Sequence, residues 1–316
     1  MTGWQARAGV FGKAPWHPEF LRPSPLTSDL HRFDEWLFRN ASVCSQPGPD
    51  GGAGPAASYG FFVRLEGARP LHGIAGALQP SRDAAGRAYP LAVGAPVEFG
   101  ADVGAHGELL PLVLEEYWDA AVDALAAASD AAPDPRDLER LTERPVDCDP
   151  EEWEAYFDWI GRTDASELCE SLAWPMPRMQ GAIQTVSAVA LVRATAPPAA
   201  VAEAFRVPLG TSAGGGLCFW LDAIRRATGV RAELTSFFWA FDGQAGDALV
   251  FLGEPGDAAL ATLWRSDGDA RLRICDLTLA SDDLAGVSLD PNAGGPGEYT
   301  LAALLEQLAP RASTRA

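Results

Sequence analysis

Three charged residues crowd a short stretch between two apolar runs. Gly73–Leu78 (GIAGAL) is small and apolar, Ala88–Val93 (AYPLAV) resumes the pattern, and Arg82, Asp83 and Arg87 fall between them. The spacing predicts strand, loop, strand. Pro80 is expected to end the first strand, because it has no N–H for a ladder, and Gly86 to supply the turn. A carboxylate flanked by guanidinium groups has two uses there. Asp83 can pair with Arg82 or Arg87 and cap its own turn, the commoner work of a turn acid. Alternatively, a loop held by its strands can present fixed charges to a ligand or a partner. Residue types alone favour the cap.

Other chemistry finds little support in the spacing. The four histidines, His17, His31, His72 and His106, show neither HExxH nor HxH, so no metal site is expected. No GxGxxG after a strand is present. Asp147 and Asp149 flank Cys148 ahead of Pro150, a pattern that suits a helix cap better than a metal. Gly214–Gly216 precede an apolar helix, but without GxxxxGK[ST] they are a poor phosphate cradle. No cofactor is expected, and no nucleophile–base pair stands out.

Composition narrows the class. The chain has 316 residues, 47% of them hydrophobic and ten of them tryptophan, enough for a substantial core. Its net charge is −19, and Lys13 is the only lysine. Such an acidic surface repels phosphate backbones and anionic membranes, so neither nucleic acid nor membrane insertion is expected. The five cysteines are scattered and odd in number, which argues for buried thiols in a reducing compartment. Neither a signal peptide nor an apolar run of spanning length is apparent, and a cytoplasmic location is expected.

The elements that must carry these residues read as follows. Strands are expected at Ala8–Gly12, Tyr59–Leu65, Leu71–Gln79, Ala88–Glu98, Ala182–Arg193, Arg206–Leu209, Ser236–Phe241, Asp247–Leu252 and Arg271–Asp276. Helices are expected at Leu26–Asn40, Leu109–Ala128, Asp149–Ile160, Ala199–Phe205, Leu217–Thr228, Gly256–Trp264 and Thr300–Leu308. In the first helix Thr27 or Ser28 is the cap, and Leu30, Phe33, Trp36 and Leu37 share a face. Val43–Ser58 is expected to be a surface loop and Arg311–Ala316 a frayed tail. The Asp130–Pro135 stretch divides residues 1–132, an N-terminal α/β unit, from residues 133–316, an α/β region that either stands apart or packs on the first as one unit. The fold class is α/β (α+β), with a mixed, largely antiparallel central sheet flanked by helices.

Three phrases together resemble the TagF/ImpM family of type VI secretion-associated proteins. They are Val10–Arg22 (VFGKAPWHPEFLR), Phe33–Leu37 (FDEWL) and Gly76–Leu91 (GALQPSRDAAGRAYPL). The family's Gly-Asp-Phe appears here as Pro18, Glu19, Phe20, which keeps the acid and the aromatic and loses the glycine. A weaker likeness covers Phe219–Gly229, Ser236–Phe241 and Ala248–Pro255. The resemblance implies a non-enzymatic, cytoplasmic accessory protein. Members repress type VI secretion assembly after translation, by engaging a forkhead-associated scaffold protein.

With that resemblance, Lys13, Arg82, Asp83 and Arg87 are expected to converge and to fix the FGK and PSRD loops against each other, because unpaired charge beside apolar strands is costly. Ser81 would cap or turn the loop. Trp16, Glu19 and Phe20 complete the candidate binding set, either as a partner contact or as packing of the loop on the sheet. The rival function is a small-ligand binder or enzyme that uses Lys13, Arg82 and Asp83 in a pocket.

Overall fold

Strands from both halves of the chain lie in one sheet. They are β1 (Gly9–Gly12), β2 (Tyr59–Val63), β3 (His72–Arg82), β4 (Ala88–Glu98), β5 (Ala204–Pro208), β6 (Ser236–Ala240), β7 (Asp247–Phe251) and β8 (Ile274–Asp276). Their order is β1-β4-β3-β2-β6-β7-β5-β8. Every pairing is antiparallel except β5 with β8. The structure, a computed structural model, describes residues 8–22, 27–41, 58–65, 72–98, 106–132, 150–195, 203–210, 213–229, 235–240, 246–264, 273–279, 300–306 and 308. The expected loop at Val43–Ser58 lies almost wholly outside them, as do the Asp149 cap, the Asp147/Asp149 pair and the tail.

The sheet is buried on both faces, and the strand sequences show why. Side chains alternate across a strand. In β2, Phe61 and Val63 join one core and Phe62 the other; in β6, Phe238 joins the first and Phe237 and Trp239 the second. Helix α1 (Ser28–Ala41) covers the first face with Leu30, Phe33, Trp36 and Leu37. Phe33 stacks on Phe61 (5.1 Å) and Trp36 on Phe238 (5.9 Å), so one helix grips two neighbouring strands. The second face meets α2 (Leu110–Val113), α3 (Glu115–Asp130), α4 (Pro150–Arg162), α5 (Ala165–Ser171), α6 (Met176–Thr195) and α7 (Ala213–Thr228). Two short helices, α8 (Ala259–Trp264) and α9 (Leu301–Glu306), complete the chain.

Of the two expected caps for α1, Thr27 is the one used: its hydroxyl accepts the Leu30 N–H at 3.3 Å. Thr27→Ala is expected to cost about 1 kcal/mol in urea unfolding; a midpoint equal to the parent protein's would remove the cap from the account.

Several sequence expectations are corrected. Pro80 does not end its strand. It faces Pro90 across β3 and β4, a register position where neither strand is asked for an N–H, and the Pro90 carbonyl turns to the other side to accept from the Lys13 N–H (3.3 Å). Ala182–Arg193 is not a strand but part of α6. Its β-branched residues tempt a strand reading, yet Met179, Ala182, Ile183 and Val186 are buried at three- and four-residue spacing, one face of a helix. Ala204 and Phe205 lie in β5 rather than in a helix. The expected Leu109–Ala128 helix breaks at Leu114, between α2 and α3. Gly214–Gly216 sit inside the first turns of α7 rather than in a loop before it, so the cradle that a phosphate would need is already helix.

Candidate functional site

The β3–β4 hairpin brings the chain back beside the end of β1, and that geometry builds the site. Gly12 pairs with Leu91 of β4 on one side. On the other side it exchanges two backbone hydrogen bonds with Leu21, N–H to carbonyl at 3.1 and 2.7 Å, so residues 13–20 form a loop pinned at both ends. Lys13 leaves β1 toward the hairpin turn. Although 70 residues separate them in sequence, its Nζ lies 2.5 Å from Asp83 Oδ2. Both side chains are buried, with 4% and 0% of their surface exposed.

Asp83 is the hub. Its Oδ1 accepts the backbone N–H groups of Ala85 (3.0 Å) and Arg87 (2.8 Å), which caps the turn. Its Oδ2 accepts Lys13 Nζ and, at 2.7 Å, Arg87 Nε. Arg87 goes on to donate Nη2 to the Pro18 carbonyl at 2.5 Å, so the guanidinium ties the hairpin to the 13–20 loop a second time. Burial pushes the Asp83 carboxyl up, but hydrogen bonds from Lys13, from the Arg87 backbone and side chain and from Ala85 outweigh it and hold the group well below the ordinary carboxylate range.

The remaining predicted residues divide. Arg82 does not engage Asp83; its Nη1 donates to the Gly86 carbonyl at 3.1 Å and its side chain is exposed. The reason is the register: Arg82 is the last paired residue of β3, opposite Ala88, and reaches across the turn rather than into it. Ser81 does not cap the loop either. It is paired with Tyr89 inside the hairpin, and its buried hydroxyl makes no hydrogen bond among the described residues; Asp83 does the capping. Trp16 packs on the core and donates Nε1 to the Ala128 carbonyl of α3 at 2.7 Å. Glu19 is exposed. Phe20 is 38% exposed and meets Tyr89 edge to face at 4.8 Å. Lys13 Nζ sits 4.6 Å from the Phe20 ring centre, and the Arg22 guanidinium 5.9 Å from it, while Arg22 pairs with Asp34 at 3.0 Å. The outward face of the site is therefore the Phe20 ring with Arg22 beside it, and the buried Lys13 ammonium lies against the same ring.

A second charged cluster escaped the sequence reading. Glu108, in the 3-10 turn Gly107–Leu109, and Asp222 on α7 are both fully buried and share one Arg225 Nη2, at 3.2 and 2.7 Å. The Asp222–Arg225–Arg226 spacing of three and four residues is legible as helix pairing; nothing in sequence points to Glu108. No group of three or more His, Cys, Asp or Glu among the described residues is placed to hold a metal ion. Cys169 and Cys218 are buried, and burial pushes both thiols up, Cys169 to about 11. No helix among the described residues is long and apolar enough to cross a membrane.

Residues 9–144 match the TagF N-terminal domain, described as Type VI secretion system-associated. The matched span holds β1 to β4, α1 to α3 and every residue of the Asp83 site. The comparison with curated proteins found no match. Among solved structures, PA0076 from Pseudomonas aeruginosa PAO1 is similar at 12% identity and a TM-score of 0.44, over 83% of this chain and 96% of that one. Over residues 9–144, then, the chain is similar to the TagF N-terminal domain of type VI secretion system-associated proteins.

Proposed function

We propose that this protein is a cytoplasmic accessory protein that represses type VI secretion assembly after translation, by binding a forkhead-associated scaffold protein. The family match supplies the link to type VI secretion. The observation that carries contact rather than chemistry is the saturation of Asp83. Four donors from Lys13, Ala85 and Arg87 occupy its two oxygens, so the charges of the cluster are spent on joining two loops. What the joined loops present outward is Phe20, with Arg22 beside it and the exposed Glu19 before it. An aromatic ring on a rigid loop, flanked by arginine, is the composition that anchors protein interfaces.

The test is calorimetric titration of the full chain with the purified scaffold. Binding is expected, and Phe20→Ala is expected to weaken it by about tenfold while leaving the thermal midpoint close to that of the parent protein. Absence of binding by the parent protein would sink the reading. Unchanged affinity in Phe20→Ala would move the contact elsewhere on the surface.

A further inference from the structure

The Glu108 cluster lies on a different part of the molecule and poses its own question. Two carboxylates bracket a single guanidinium nitrogen, so their nearest oxygens lie within about 6 Å of each other, close enough to repel strongly where water is excluded. Their support is unequal. Asp222 Oδ1 accepts from Arg225 Nη2 and also from Arg226 Nε at 2.9 Å. Glu108 Oε1 shares Arg225 and has His106 Nδ1 at 3.4 Å, beyond good hydrogen-bond range. Among the described residues Glu108 Oε2 finds no hydrogen-bond partner, and neither do Asp222 Oδ2, Arg225 Nε or the hydroxyl of Tyr156 on α4. An oxygen without a donor, in a fully buried side chain, is far cheaper to keep neutral than charged.

We propose that Glu108 and Asp222 together carry one negative charge in the folded protein, with the proton on Glu108, and that this proton keeps the Gly107–Leu109 turn seated against α7 and α4. Of the two acids only Asp222 accepts from a second guanidinium, which leaves Glu108 the less supported carboxylate. The other groups that face the pair do not reverse this. On α7, Arg226 serves Asp222, and burial pushes the Cys218 thiol up, so it stays neutral. On α4, burial likewise pushes the Tyr156 phenol up. Glu115, at the start of α3, adds negative potential at Cys218. Burial also pushes the Glu108 carboxyl up, against the pull of Arg225, in keeping with the geometry. His106 is the group that could oppose it, since a charged imidazole beside Oε1 would favour the carboxylate. Its ring also meets Phe157 of α4 edge to face at 5.7 Å, so the turn is gripped next to the acid.

A carboxyl held above its ordinary value stabilises the fold fully in acid, and the contribution is lost as pH climbs through its folded-state value. Glu108→Gln keeps the shape and cannot ionise. Its urea midpoint is expected to match that of the parent protein near pH 4 and to pull ahead as pH rises above the ordinary glutamate range. The comparison is made in a His106→Gln background as well, so that the imidazole does not enter. A Glu108→Gln midpoint below that of the parent protein by the same margin at every pH would overturn the proposal, since that is the result of breaking an ionised pair. Should the variant fail to fold, the Glu108 side-chain carboxyl carbon, followed by NMR in the unmodified chain, decides. A protonated carboxyl at neutral pH supports the proposal, and an ionised one overturns it.

Discussion

Asp83→Ala is expected to lower the thermal midpoint by roughly 5–10 °C, more than either partner substitution at the same site. Removing the carboxylate strands the Lys13 ammonium, which is almost fully buried and keeps only the Phe20 ring beneath it. It also frees the N–H groups of Ala85 and Arg87 and releases the guanidinium that ties the hairpin to Pro18. Lys13→Met removes the cation but leaves Asp83 with Arg87 and two backbone donors, so it is expected to cost less. Asp83→Asn falls between, because an amide oxygen can still accept from the turn. Acid provides a second readout. The Asp83 carboxyl sits well below its ordinary range when folded, so its contribution is complete above about pH 4 and is lost as pH falls toward the folded-state value. The gap between the parent protein and Asp83→Asn should therefore narrow below about pH 4. A gap that stays constant into acid, or a Lys13→Met variant less stable than Asp83→Ala, would contradict a clamp centred on Asp83.

The two kinds of pattern in this chain were not equally legible. β2, β6 and β7 could be read because Phe61, Phe62, Phe237, Phe238, Leu249 and Val250 leave no doubt that both faces are buried. α6 was misread because residue type was weighed above period: Ile183 and Val186 favour strands one by one, but their spacing belongs to a helix. No local rule links Lys13 and Asp83, which lie 70 residues apart; only the resemblance of both phrases to one family joins them. Arg82 and Arg87 looked equivalent flanking Asp83. Only the register separates them, placing one at the end of a strand and the other across the turn. The Glu108–Arg225–Asp222 bridge depends on tertiary packing of a 3-10 turn on a helix, which sequence spacing does not encode.

Gly12→Ala should be the costliest small substitution near the site, because strain and collision act together. Gly12 has φ +96°, a conformation that alanine adopts only at a cost of about 1–3 kcal/mol. A Cβ there would lie 1.8 Å from the Pro90 carbonyl oxygen and 2.9 Å from its carbon. Pro90 cannot step aside freely. Its carbonyl accepts the Lys13 N–H, and its ring faces Pro80 within the hairpin. Moving it would also disturb Gly12's two hydrogen bonds with Leu21, which close the 13–20 loop. Overpacking of this kind adds about 1–3 kcal/mol, so a total loss of about 3 kcal/mol or more is expected in urea unfolding. Gly86→Ala is the control. Gly86 also has positive φ, +79°, but a Cβ there meets nothing within 4 Å, so it isolates strain from collision and should cost only about 1–2 kcal/mol. Hydrogen exchange across residues 13–20 should rise in Gly12→Ala and stay near the parent level in Gly86→Ala. Equal losses in the two variants would mean that the hairpin yields around Pro90, and that the approach of β1 to β4 does not hold Lys13 in place.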